Sequence, residues 1–69
     1  MSDSVYKVVE VIGTSTESWE AAVRNAVETA STTLRELRVA EVGRLDVTIE
    51  GGRVATFRAR VTLSLKYEQ

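Results

Sequence analysis

The 69-residue sequence predicts an α+β fold of order strand, helix, strand, strand, with the helix laid across one face of a three-stranded antiparallel sheet. Three observations carry this expectation. A β-branched run occupies Val5 to Ile12, apolar residues recur at helical spacing from Trp19 to Leu37, and two later segments flank Gly51-Gly52 with period-two alternation.

The first strand, at about residues 5–12, is apolar on both faces and is expected to end at Gly13. Thr14 to Ser18 then supply a run of N-cap candidates, with Glu17 and Glu20 suited to the positive end of a helix. Thr14 and Glu17 have capping-box spacing, but Ser15 or Thr16 would serve equally as the cap. Trp19, Val23, Ala26, Val27, Ala30, Leu34 and Leu37 trace one apolar stripe, which predicts a helix over about 16–37. At 1.5 Å per residue its roughly twenty residues would run about 30 Å.

The third segment, about 39–50, changes phase: Ala40 and Val42 are apolar at even positions, then Leu45, Val47 and Ile49 at odd ones. Gly43 sits at the change and marks a β-bulge or strong bend. The fourth segment, about 53–67, alternates from Ala55 to Tyr67, with Arg58, Arg60, Thr62 and Ser64 on its polar side. A loop of Gly51-Gly52 alone would pair Val47 with Thr56 and mix apolar with polar side chains on one face. A three-residue or bulged turn instead aligns Leu45 and Val47 with the Ala55, Phe57 and Ala59 row.

Composition narrows function. Nine basic and ten acidic residues leave a net charge of −1, without the basic excess of a nucleic-acid binder. With no Cys and no His, the usual zinc, haem and iron–sulfur ligands, thiol nucleophiles and imidazole bases are absent, and nothing points to an enzyme. Met-Ser-Asp-Ser has neither a basic segment nor an apolar run, so the expectation is a single cytoplasmic domain over 1–69, with no membrane partner. Strands of about fourteen residues run roughly 45 Å, further than the helix covers. Without disulfides or zinc, association with further copies is the expected way to complete the core.

Val-Tyr-Lys-Val-Val-Glu-Val-Ile-Gly-Thr-Ser at Val5 to Ser15, the Ala-rich helix, and the hairpin ending in Lys66-Tyr67-Glu68 together resemble the dodecin family across nearly the whole chain. Ser18-Trp19-Glu20 and Arg38-Val39-Ala40 resemble the calcium dodecin subgroup more than the flavin-binding type. The resemblance implies a sheet partly wrapped around one amphipathic helix, assembled as a hollow homo-oligomer, a homododecamer that stores or sequesters small molecules without turnover. In flavin-binding members a Trp at the start of the second strand stacks on the flavin. That position is Val39 here, the aromatic that follows it is Ala40, and the Gln that bonds the flavin's polar edge is Arg58. Loss of the stacking rings implies weak or absent binding of FMN, riboflavin or FAD.

Candidate ligand-binding residues are therefore Val39, Ala40, Arg58, Arg60 and Asp46, facing a small anionic or nucleotide-like ligand that guanidinium forks would grip. The arginines and Asp46, with Arg44 nearby, suit a salt-bridge network between strands or protomers equally by residue type, and the balanced charge favours it. Trp19 reads as a core or interface anchor. Calcium needs six to eight oxygen ligands, of which Glu17, Glu20, Asp46 and Glu50 would supply some; no EF-hand loop is present, so a calcium site rests on the subgroup alone. The alternative to a ligand store is a structural or partner-binding oligomeric module.

Overall fold

The computed structural model describes residues 4–67. The Met-Ser-Asp start read above for targeting character, and Glu68 at the end of the hairpin motif, lie outside the described residues. The elements are β1 (Tyr6–Ser15), α1 (Trp19–Ala30), β2 (Leu37–Glu50) and β3 (Arg53–Lys66). They form the expected α+β fold, one antiparallel sheet in the order β1-β3-β2 with a single helix. Placing β3 centrally explains its clean alternation: Ala59, Val61 and Leu63 are buried under the helix, while Arg58, Arg60 and Thr62 point to the other face. Among the described residues no helix is long and apolar enough to cross a membrane.

β1 does not stop at Gly13 but continues to Ser15, pairing Gly13 with Ala59 and Ser15 with Phe57. Gly13 is a spacing residue, not a terminator, because it lies directly beneath Ala22 and Ala26, the two buried residues of α1. Ser18 is the N-cap: its hydroxyl oxygen accepts the Ala21 amide at 3.0 Å, while Ser15 Oγ accepts from the amide of Glu17.

The predicted helix of 16–37 is a correction in length, since α1 has 12 residues and is about 18 Å long. Its end is chemical: the Ser31, Thr32 and Thr33 hydroxyls donate to the carbonyls of Glu28, Thr29 and Ala30, and Glu36 adopts φ 63°. Leu37, which continued the stripe by spacing, opens β2 opposite Leu65 and packs against the core from the sheet.

Gly43 is the bulge. Val42 pairs with Val61 and Arg44 with Arg60, so Gly43 has no partner and the phase of β2 inverts. A second irregularity resolves the hairpin. Gly51 and Gly52, at φ 58° and 75°, form a two-residue loop, and the register slips between Thr48 and Ile49. That slip gives the bulged turn and brings Val47 opposite Phe57 and Leu45 opposite Ala59.

The core contains Ala22, Ala26, Ala59, Val61 and Leu63. The helix lies over β1 and β3 and barely reaches β2, so Val42, Leu45, Ile49 and Val54 stay exposed. The radius of gyration is 14.3 Å, against about 11 Å for a compact chain of this length. The long hairpin extends past the helix, leaving apolar surface that this chain does not cover.

Candidate functional site

The sheet face turned away from α1 carries most of the polar chemistry, arranged in cross-strand rows. Val8, Ser64 and Val39 form one row, Glu10, Thr62 and Glu41 the next, then Ile12, Arg60 and Arg44, and finally Thr14, Arg58 and Asp46. The Gly43 bulge builds this order. Without it, Arg44 and Asp46 would share the inward phase of Ala40 and Val42.

Arg58 grips Asp46 with both arms of its fork: Nε donates to Oδ1 at 2.8 Å and Nη2 to Oδ2 at 3.0 Å. The hydrogen bonds from Arg58 hold the Asp46 carboxyl below its ordinary value, with help from the charges of Arg58, Arg60 and Arg44 and against some desolvation. Asp46 in turn raises Arg58, mainly through the same hydrogen bonds. Both groups are pushed toward their charged forms, which suits anchoring and gives neither a proton to exchange near neutrality.

Asp46 also joins the two faces of the sheet. Its backbone carbonyl accepts the indole N–H of Trp19 at 3.0 Å. Trp19 stands edge-on to Phe57, with ring centroids 5.2 Å apart and planes at 75°. Trp19, Val23, Val42 and Leu45 with Glu20 line an open apolar recess of about 240 Å³ on the uncovered β2 side. That placement matches a Trp with an apolar body and a polar rim, although 38% of Trp19 remains accessible.

The structure brings Arg58, Arg60 and Asp46 together on one face, and separates them from Val39 and Ala40. Val39 and Asp46 lie seven residues apart on β2, roughly 20 Å along the strand. Val39 is exposed on the outer face opposite Ser64. Ala40 faces inward, and it and Val39 line a recess of about 150 Å³ with Val27, Leu37, Arg38 and Leu63. Within one chain the five candidates therefore make two separate places.

Glu17 precedes α1 and Glu20 lies in its first turn, as the helix dipole favours. Asp46 is engaged by Arg58, and Glu50 closes the hairpin opposite Arg53. Among the described residues no three acidic groups converge as a metal site. Sequence reasoning missed two partners. Glu10 approaches Arg60 to 3.6 Å from β1, and Ala22 is fully buried although the apolar stripe omitted it. The first needs the β1–β3 register; the second had a legible signal in Ala22-x-x-x-Ala26, the small-residue spacing of a close helix contact.

A family profile described as Dodecin matches residues 5–68. Calcium dodecin of Mycobacterium tuberculosis is 40% identical over 63 residues, spanning 91% of this chain and 89% of that protein. Dodecin from Streptomyces coelicolor superposes with a TM-score of 0.93 at 43% identity, covering 100% of this chain and 99% of the other. The M. tuberculosis structure described as a calcium-chelating antigen, calcium dodecin, with a novel calcium-binding site superposes with a TM-score of 0.83 at 38% identity, covering 93% and 91%.

Proposed function

Since the chain belongs to the dodecin family, we propose that it works as a cytoplasmic homododecamer that binds and buffers a small ligand without chemical turnover. The observation that carries this reading is the uncovered apolar side of the fold. Val42 and Leu45 are each 46% exposed, Ile49 68% and Val54 56%, while the buried core among the described residues holds only small or medium side chains. Further copies covering these residues would complete the core and enclose the polar sheet faces in a common interior.

Flavin is a poor fit to this chain. The position of the stacking ring holds Val39, whose neighbour across Ser64 is Val8, so the outer face offers aliphatic contact in place of a π platform. Absence of turnover is supported by the lack of Cys and His and by the charge-locked Asp46–Arg58 pair.

A calcium-binding reading is favoured by the similarity to calcium dodecin of M. tuberculosis. In this chain it requires oxygen ligands from more than one copy, because no three acidic groups converge among the described residues.

Native mass spectrometry of the purified full-length protein tests the proposal. The expected species is a twelve-fold assembly retaining a small ligand or metal. A monomer or dimer as the largest species at micromolar concentration would remove the assembly, and an empty dodecamer that binds neither flavin, nucleotide nor calcium would leave the structural module in its place.

A further inference from the structure

We propose that Arg44 and Arg60 form an oxyanion subsite for a phosphate group on the outer face of the sheet. The proposal deepens the binding reading by naming the ligand class, and rests on it for the presence of a ligand.

Arg44 and Arg60 are direct cross-strand partners. Like charges in that position repel and destabilise a sheet unless something neutralises them. The nearby carboxylates do not suffice. Asp46 is taken up bidentately by Arg58, Glu41 in the adjacent row forms no ion pair among the described residues, and Glu10 reaches Arg60 only at 3.6 Å, longer than a good charge-assisted hydrogen bond. Among the described residues Arg44 makes no ion pair. The third member of the row, Ile12, is apolar, so β1 offers compensating charge only from Glu10, one row away and toward Arg60 rather than Arg44.

The bulge makes the arrangement specific. Looping out Gly43 turns Arg44 from the helix side to the outer face, opposite Arg60. Two adjacent planar forks offer paired N–H donors to the oxygens of one tetrahedral dianion, and a phosphate would bond directly to the guanidinium of Arg44, which no carboxylate pairs among the described residues. The Arg58–Asp46 pair in the adjacent row leaves Arg58 occupied. It also connects the site to the indole of Trp19 through the Asp46 carbonyl.

Thermal melting of the intact assembly in sodium chloride and in sodium phosphate at equal ionic strength and pH tests the site, with intrinsic Trp19 fluorescence and calorimetry on the same samples. Phosphate is expected to raise the melting temperature saturably in the wild type and in Arg38→Ala, a variant of an exposed arginine on the same strand. Arg44→Gln and Arg44→Ala should melt above the wild type in chloride, because the repulsion is relieved, and bind phosphate about tenfold more weakly or worse. Adenosine monophosphate acting like inorganic phosphate while adenosine does nothing identifies the phosphoryl tail of an organic ligand; inorganic phosphate acting alone identifies the free ion. The proposal is overturned if phosphate stabilises no more than chloride, if the Arg44 variants bind it as the wild type does, or if they melt lower in chloride. Light scattering on these samples reports assembly independently, so a full-size particle indifferent to phosphate sinks the subsite alone.

Discussion

Gly13 lies under Ala26 so closely that a Cβ on Gly13 would stand 2.8 Å from the Ala26 Cβ, and nearer still to the carbonyl oxygen of Ala22. The helix and β1 thus meet backbone to backbone, and three small residues set the thickness of the two-layer core. Larger residues here would lift α1 away from Ala59 and Val61 on the neighbouring strand. Gly13→Ala is therefore expected to destabilise the fold by about 1–3 kcal/mol or more, as overpacking against rigid backbone does. Chemical denaturation at fixed protein concentration measures it, and a wild-type midpoint would show that the helix can retreat at no cost.

The exposed apolar side makes a separate forecast about assembly. Leu45 is 46% exposed in the single chain and faces the open recess with Trp19 and Val42. An Asp there meets water in the monomer but would be buried against another copy. Leu45→Asp should keep the circular dichroism spectrum of the wild type while the scattering mass falls to that of small species. An unchanged large particle would show that this recess stays wet in the assembly.

Ligand choice is tested at Val39, which is 56% exposed on the outer face. Replacing it with Trp supplies the stacking ring that the resemblance to flavin-binding dodecins implies for this position. A stacking ring worth about 0.5–1.5 kcal/mol corresponds to a gain of about twofold to about tenfold for each ring that contacts the flavin. Riboflavin fluorescence quenching should therefore be weak in the wild type and markedly stronger in Val39→Trp. Equal quenching in both would mean that the aliphatic surface already suffices.

Acid should uncouple the outer-face ion pair. Asp46 titrates below its ordinary value because Arg58 bonds the charged carboxylate, so the fold is stabilised when Asp46 is ionised. That contribution is complete above the unfolded aspartate value of about 3.9 and is lost as pH falls through the lower folded value. The melting-temperature gap between wild type and Asp46→Asn is expected to hold steady from pH 7 to about pH 5 and to close below about pH 4. Because the pair is well exposed, the gap at neutral pH should be modest. A gap that widens in acid would assign the stabilisation to another group.

The local chain chemistry already determined much of this protein. Period-two alternation on β3, the phase change at Gly43 and the Gly51-Gly52 loop each depend on residues near one another in sequence, and together they specified the sheet's inner row and the meeting of Asp46 with Arg58. The helix end was readable only in part. Apolar spacing continued to Leu37, while the hydroxyls of Ser31, Thr32 and Thr33 turned the chain away, a competition that periodicity does not weigh. Only tertiary packing decided that Gly13 belongs beneath Ala22 and Ala26, that Glu10 comes to Arg60, and that Trp19 bonds the Asp46 carbonyl. The first sets β1 against α1 and the other two join β1 or α1 to strands far along the chain, and their distances follow from the β1–β3 register and the helix height, quantities that exist only once the layers have closed.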